Sequence, residues 1–327
     1  MFMYLFLVAG FFLLIKGADL FVDGSSSVAK LLRVPSIIIG LTIVAFGTSM
    51  PEASVSINAA LQGKNALAVS NVIGSNMFNL LMVLGASALV HPVQVKGSVM
   101  KKEFPFSIII TFVLLVAMVK TGFADIWKGQ DSYVLGRTGG ILLLILFLVF
   151  VITAVMDALN SRRKTAGVQI QGQGEDYEVL SPVKSILYII VGIAAIIFGG
   201  DLVVDSATSI AEAFGLSQTF IGLTIVAIGT SLPELVTSMV AASKGENDLA
   251  LGNVVGSNIF NVLLILGMSA VISPIVVDVF AIYDTMILIL ASIVVYLCAL
   301  SKKSFSRLEG ITFLLLYAGF FFYIFRR

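Results

Sequence analysis

Gly47-Thr-Ser-Met-Pro-Glu52 and Gly74-Ser-Asn-Met-Phe-Asn79 return 182 residues later as Gly229-Thr-Ser-Leu-Pro-Glu234 and Gly256-Ser-Asn-Ile-Phe-Asn261. Across 40–79, 25 of the 40 positions are identical in the second copy, without a gap. A likeness between two apolar helices would explain matched Leu, Ile and Val. It would not explain matched Glu, Pro, Asn and Ser, so the chain contains an internal duplication.

The composition is that of a protein embedded in a lipid bilayer. Hydrophobic residues make up 58% of the 327 residues and charged residues 12%, with a mean hydropathy of +1.06. Soluble domains have about 25% charged residues, so this chain has too few to cover a surface that faces water. The net charge of +1 leaves no basic face for nucleic acid. The single cysteine excludes an internal disulfide and a thiolate metal cluster.

Stretches of about 20 apolar residues, long enough to cross a membrane, recur along the chain. They predict an all-α membrane protein with about ten transmembrane helices, since a spanning segment must satisfy its own backbone hydrogen bonds. The predicted spans are Phe2–Val22, Val34–Leu61, Leu67–Val90, Phe104–Val119, Gly136–Met156, Ile186–Val204, Leu216–Ala242, Leu249–Ile272, Val277–Leu300 and Leu308–Phe325. We therefore expect a first five-helix repeat (1–156), a polar linker (157–183) and a second five-helix repeat (184–327).

The number of spans in each copy determines how the two copies are related. Five is odd, so the second copy is inverted relative to the first, as in many secondary transporters. Lys and Arg in the loops predict which side is cytoplasmic. The loops on the side of the linker carry 13 of these residues and the loops on the other side carry 6. We expect a cytoplasmic linker, both termini outside, and residence in the plasma (inner) membrane.

The duplicated acids, Glu52 and Glu234, lie near the middle of their spans. An acidic residue there costs about 2.5–3.5 kcal/mol on insertion scales, so both acids need a cation or a proton. Pro51 and Pro233 should break these helices and free backbone carbonyls in the ranges 45–48 and 227–230. Hydroxyls of the same motifs add further oxygen atoms, from Thr48, Ser49, Thr230 and Ser231.

The third and eighth spans supply a second set of polar groups. Ser75 and Asn79 are four residues apart and share one helical face, as do Ser257 and Asn261. Asn71 and Asn253 extend this face by one turn, whereas Asn76 and Asn258 lie off it. All these groups bind through oxygen, which suits Ca²⁺ and Na⁺ better than a transition metal. We expect these transported ions and no cofactor.

Simpler roles are open for part of this set. The Thr and Ser hydroxyls could bond back to their own helix, and Asn79 and Asn261 could only join helices. The repeated acids near the ends of the first and sixth spans favour capping or interfacial roles over an ion pathway; they are Asp19, Asp23, Asp201 and Asp205.

At the duplicated motifs the sequence resembles the cation/Ca²⁺ exchanger (CaCA) superfamily, and most closely its prokaryotic sodium/calcium exchangers. The resemblance covers essentially the whole chain. It implies ten helices in two inverted halves and a first and sixth helix that slide against the rest during alternating access.

The resemblance also implies a site for each ion. Ca²⁺ would lie between Glu52 and Glu234, with the carbonyls of Thr48 and Thr230. Asn79 and Asn261 would meet at the middle of the site. The Na⁺ positions would use Ala45, Thr48, Ser49 and Ser75 of the first half, and Ala227, Thr230, Ser231 and Ser257 of the second.

The leading hypothesis is a secondary Na⁺/Ca²⁺ antiporter that exports Ca²⁺. H⁺/Ca²⁺ exchange stays open because buried carboxyls also exchange protons. K⁺-dependent exchange also stays open, although some relatives with K⁺ dependence place an acid where this chain has Asn261. A cation channel is an alternative from another class, but channels usually build filters from symmetric oligomers. No nucleophile–base pair or histidine ligand accompanies the acids, which argues against an enzyme.

Overall fold

The structure is a computed structural model that describes residues 2–63, 65–119, 133–165, 179–215 and 227–326. Within these ranges the chain is largely helical, with four strands of two or three residues. Seven described helices are long and apolar enough to cross a membrane, and one further described span is bent at a break.

The first half contains α1 (Phe2–Leu32), α2 (Ser36–Thr48), α3 (Met50–Leu61), α4 (Asn65–Met77, Phe78–Val83 and Leu84–Val90, without interruption), α5 (Gly97–Lys101), α6 (Glu103–Met118) and α7 (Arg137–Thr165). The second half contains α8 (Pro182–Ala213), α9 (Ala227–Gly229), α10 (Leu232–Ser243), α11 (Asn247–Ile272), α12 (Val279–Lys302) and α13 (Arg307–Arg326).

Two short antiparallel ladders join one half to the other. Strand β1 (Val93–Gln94) pairs with β4 (Ser304–Phe305), and β2 (Tyr133–Leu135) pairs with β3 (Ile275–Val277). In register, Val93 lies opposite Phe305 and β2 places Tyr133 opposite Val277. Each ladder lies at the end of a membrane helix, so it fixes where the two halves meet.

Three helices are longer than the apolar spans that predicted them. The structure has α1 to Leu32 instead of Val22, α7 to Thr165 instead of Met156, and α8 over Pro182–Ala213 instead of Ile186–Val204. Hydropathy marks only the apolar stretch of a helix, whereas helical hydrogen bonding continues until a residue opposes it. In α1 that residue is Pro35, which disfavours helical backbone at the residue before it.

The predicted linker therefore starts inside α7. Residues 166–178, about half of the linker, lie outside the described residues, as do residues 216–226 of the predicted seventh span. The division at 156 and 184 stays a prediction.

Helices α1 and α8 lie antiparallel with their backbones in contact. Glycines recur every seven residues along α1, and a Cβ added at Gly17 would lie 2.9 Å from the carbonyl oxygen of Gly192. A Cβ added at Gly10 would lie 2.9 Å from the carbonyl oxygen of Gly199. Small residues permit this close approach, which is a common way for helices to associate in lipid. The two helices form a unit, hereafter the α1–α8 pair, with most of its remaining surface exposed.

Asparagines join the two halves where α4 and α11 cross. The side chain of Asn76 donates to the carbonyl of Asn258 at 3.2 Å, and Asn258 donates in return to the carbonyl of Asn76 at 3.3 Å. Asn261 Nδ2 donates to Asn76 Oδ1 at 3.0 Å. Both asparagines of the reciprocal pair are buried. This contact satisfies polar groups of each half with groups of the other.

Gly192→Val should destabilise the protein, because its Cβ would meet the backbone nitrogen of Phe21 at 2.7 Å and the carbonyl of Gly17 at 2.8 Å. Backbone atoms in a helix cannot move aside cheaply. We expect a lower melting temperature in detergent, measured by size-exclusion chromatography after heating. Gly319→Val is the matched control, since a Cβ there meets nothing within 4 Å. Equal melting temperatures for the two variants would contradict the close packing.

Asn76→Ala should also lower the melting temperature. It removes the acceptor of the buried Asn261 amide and one bond to the carbonyl of Asn258, and a buried donor left unpaired costs about 1–3 kcal/mol. Asn58→Ala removes an exposed asparagine whose bond stays within its own helix, at 3.5 Å from Ser54 Oγ, and should change little. A loss of stability in the control as large as that in Asn76→Ala would refute the role of the crossing.

Candidate functional site

Each half contains a helix break at the duplicated motif. Helices α2 and α3 meet at Ser49 with a bend of 51°. Ser49 has φ −82° and ψ 7°, and Ser231, between α9 and α10, has φ −95° and ψ 6°. Pro51 lies in the first turn of α3 and cannot donate a hydrogen bond to the carbonyl of Gly47. The break predicted from proline is confirmed, and its backbone conformation is the same in both halves.

The prediction of freed carbonyls is wrong for Ala45. Its carbonyl oxygen accepts a helical hydrogen bond from the backbone nitrogen of Ser49 at 3.0 Å. The α2 helix therefore keeps its bonding to within one turn of the break. The same oxygen also accepts a bond from Ser257 Oγ at 3.5 Å, so it faces the polar cluster of the other half.

The carboxyl groups of Glu52 and Glu234 are fully buried, with 0% exposure. Each acid lies in the first turn of its helix, where the positive end of the helix dipole stabilises a negative charge. Glu52 Oε1 accepts bonds from Ser231 Oγ at 2.9 Å and Ser75 Oγ at 3.4 Å. Glu52 of the first half is thus hydrogen-bonded by the serine at the helix break of the second half, hereafter the break serine of that half.

The second acid has the mirrored arrangement. Glu234 Oε1 accepts bonds from Ser49 Oγ at 3.0 Å and Ser257 Oγ at 3.3 Å. In the described part of the chain, the other carboxyl oxygen of each acid, Oε2, has no hydrogen-bond partner. None of the ion pairs found there involves either acid. Each carboxyl group therefore has one oxygen bound by serines of both halves and one buried oxygen that the described residues leave without a donor.

A further layer fixes the backbone of each acid. Asn71 Nδ2 donates to Ser56 Oγ at 3.0 Å and to the carbonyl of Glu52 at 3.4 Å. Asn253 Nδ2 repeats these bonds, to Ser238 Oγ at 2.9 Å and to the carbonyl of Glu234 at 3.4 Å. These asparagines therefore connect α4 to α3 in the first half and α11 to α10 in the second half.

Thr48 has two kinds of partner. Its hydroxyl donates to Asn253 Oδ1 at 2.9 Å and lies 3.4 Å from Ser257 Oγ, both in the other half. It also lies 3.2 Å from the carbonyl of Val44, which is the bond to its own helix that the sequence left open. Its counterpart Thr230 lies half buried at the second break, and of Ala227 the structure describes the helical backbone.

The expected meeting of Asn79 and Asn261 takes a different form. Both are fully buried and lie in π-helical segments, Phe78–Val83 and Asn261–Leu266. Neither amide bonds to the other, because Asn261 donates to Asn76. The side chain of Asn79 has no hydrogen-bond partner among the described residues. Asn76 is the residue that the sequence reasoning missed, although its identity in both copies was a usable signal.

Comparisons with known proteins agree with this geometry. The chain matches the family described as "Sodium/calcium exchanger protein" over residues 2–156 and 184–326. It is 38% identical to a protein of Alkalimonas amylolytica provisionally named antiporter CaxA, over 98% of each chain. It is 32% identical to the sodium/calcium exchanger MaX1 of Methanosarcina acetivorans, over 97% of each chain.

The fold is also that of a solved structure. The sodium-calcium exchanger NCX_Mj, soaked with zero Na⁺ and Ca²⁺, superposes with a TM-score of 0.79 and 30% identity. The match covers 97% of this chain and 96% of the other. NCX_Mj has ten transmembrane helices in two repeats, which confirms the all-α fold predicted from the apolar spans and the two repeats predicted from the duplication. The chain therefore belongs to the sodium/calcium exchanger protein family, among the prokaryotic members of the cation/Ca²⁺ exchanger superfamily.

Proposed function

We propose that this chain exchanges Na⁺ for Ca²⁺ across the plasma (inner) membrane by alternating access, and that it exports Ca²⁺. The observation that carries the proposal is the pair of fully buried carboxyl groups. Each has one oxygen bound by serines of both halves and one oxygen without a partner among the residues that the structure describes. Two acids neutralise one Ca²⁺, and the named similarity to sodium/calcium exchangers supports Na⁺ as the counter-ion.

The ligand set supports a hard cation. We assign Ca²⁺ to Glu52 and Glu234, with the carbonyls of Thr48 and Thr230. Carboxylate, hydroxyl and carbonyl oxygens are the ligands that Ca²⁺ prefers, and Na⁺ has a similar preference for oxygen. The C-terminal end of α2 lies at the break, and its negative dipole end adds to the attraction.

Na⁺ would occupy subsites around the same acids. Ser49 and Ser231 each donate a hydrogen bond to the acid of the opposite half. The hydroxyl groups beside each acid therefore come from both halves. We assign these subsites to Ala45, Thr48, Ser49 and Ser75, and to Ala227, Thr230, Ser231 and Ser257, with Asn79 and Asn261 lining the middle. Competition of Na⁺ and Ca²⁺ for the same two acids would couple their movements.

Glu52→Gln and Glu234→Gln should each abolish Ca²⁺ exchange, because a neutral amide removes half of the charge that balances Ca²⁺. The measurement is ⁴⁵Ca²⁺ uptake into proteoliposomes, with Na⁺, K⁺ and pH gradients imposed one at a time. Asp157→Asn is the matched control, since this exposed acid pairs with Lys102 at 2.8 Å, far from the duplicated motifs in sequence.

The same measurement tests the alternatives. Uptake driven by a pH gradient alone would indicate H⁺/Ca²⁺ exchange, and a requirement for K⁺ would indicate K⁺-dependent exchange. A steady Ca²⁺ current without any counter-ion would indicate a channel. Robust Na⁺-driven exchange by either glutamine variant would remove the two acids from the site.

We also propose that both termini lie outside and the linker is cytoplasmic, from the distribution of Lys and Arg. In a Cys298→Ser background, a cysteine placed at residue 2 should react with a membrane-impermeant maleimide on intact cells. A cysteine placed in the linker at residue 170 should react only after permeabilisation. The reverse pattern would invert the orientation.

A further inference from the structure

Lys244 connects the α1–α8 pair to the part of the chain that carries Glu234. It lies in the turn directly after α10, and its Nζ is 2.7 Å from Asp23 Oδ1 and 3.2 Å from Asp19 Oδ1. It also donates to the carbonyl of Asp19 at 3.2 Å. The lysine side chain is 19% exposed, whereas the side chains of Asp19 and Asp23 are 34% and 39% exposed, so these ion pairs are only partly shielded from water and salt.

The α1–α8 pair covers both helix breaks. A Cβ added at Gly47 would lie 2.9 Å from Ile193 of α8 and 3.3 Å from the ring of Phe21 in α1. A Cβ added at Gly229 would overlap Val204 of α8. Because the acids beneath are fully buried, an ion reaches them only if the α1–α8 pair and the broken helices separate on one face.

Two halves with identical sequences would open equally on the two faces, since exchanging their conformations would give states of equal free energy. Lys244 breaks this equality. The equivalent position in the first half is Gln62, which has no charge, although the acids are repeated as Asp201 and Asp205. Among the described residues, neither of these two acids forms an ion pair.

The packing differs in the same direction. Helix α1 packs along α10, as Lys244 requires. Between the described parts of α8 and α3, which are the counterparts of these helices, there is no comparable packing. Among the described residues, α1 and α10 are therefore in contact on the face that carries Lys244, hereafter the Lys244 face, and their counterparts are not packed together in this way on the opposite face.

We propose that Lys244 is a latch: its bonds to Asp19 and Asp23 hold the Lys244 face closed, so the two faces open unequally and bind Ca²⁺ with different apparent affinities. The proposal rests on the proposed exchange of Ca²⁺. A site that is open for only part of the time has an apparent affinity reduced by that fraction. Binding of Ca²⁺ from the Lys244 face therefore has to offset the free energy of breaking these bonds, which raises the half-saturating Ca²⁺ concentration on that face.

The test compares half-saturating Ca²⁺ concentrations on the two faces, in inside-out and right-side-out membrane vesicles. Lys244→Gln copies the residue of the other half and should lower the value on the Lys244 face about threefold to tenfold relative to the opposite face, as expected for the loss of partly buried ion pairs. Lys244→Asp combined with Asp23→Lys should restore the original ratio. Gln62→Lys should raise the value on the opposite face.

Lys96→Gln is the matched control. Lys96 forms an equally short ion pair with Asp248, at 2.6 Å, but that pair does not involve α1. Its loss should leave the ratio unchanged. Lys64→Gln is a second control variant. Lys64 follows Gln62 closely in sequence and lies outside the described residues, so this variant tests whether a lysine of the first half has the same role on the opposite face.

Exchange that persists in Lys244→Gln with an unchanged ratio would overturn the latch. A mirrored shift in Lys64→Gln would show that both faces are latched, which overturns the inequality. Absence of Ca²⁺ exchange in the unmodified protein would instead refute the proposed function. Hydrogen exchange of residues 19–32 in nanodiscs then decides, since it needs no transport: faster exchange in Lys244→Gln but not in Lys96→Gln supports the latch, and equal rates reject it.

Discussion

The energetic cost of enclosing two acids in a membrane protein, with no ion pair to either acid among the described residues, determines the rest of this structure. Moving an ionised carboxylate from water into a dry interior costs on the order of 20 kcal/mol in the idealised case, and still several kcal/mol after relaxation. Hydroxyl donors offset part of this cost at Glu52 and Glu234. Under the proposed function, a bound cation would offset the remainder, so the change of access across the membrane would be favoured with the site occupied and opposed with the site empty and ionised.

The duplication provides the geometry for this site. Each half contributes one broken helix, in which the proline removes a backbone donor and the serine before it adopts a bridge conformation. Inversion then brings the two breaks face to face, and each break serine bonds to the opposite acid. The α1–α8 pair, which packs through glycines, covers the two helix breaks from the lipid side. Helices α4 and α11 contact the acids from the interior of the protein.

Much of the fold and of the candidate site could be predicted from the sequence. Acids, prolines and asparagines carry an energetic cost within membrane helices, so their presence there is informative. Acid, proline and asparagine at matched positions indicated the breaks, the acids and the polar third helices. The exchange of partners between Ser231 and Glu52 was not predictable, since it depends on how two helices dock. The contact made by Asn76 was not predicted, because assigning residues to the faces of a helix assumes that only one face is buried. Helix α4 is buried on most of its surface, so an asparagine off the polar face also meets protein. The ends of three helices were placed too early or too late because hydropathy detects only the apolar stretch of a helix, and these helices continue into polar residues.

The crossed serine bonds have a consequence for how such a protein could arise. Neither half supplies all the hydrogen bonds to its own acid, because one of the two serines on each carboxyl group comes from the other half. A chain of half this length would be incomplete as a monomer. It could build the same cradle only by pairing with a second copy inserted in the opposite direction, so an ancestor with dual topology, later fused into one gene, is the simplest origin that this bonding pattern allows.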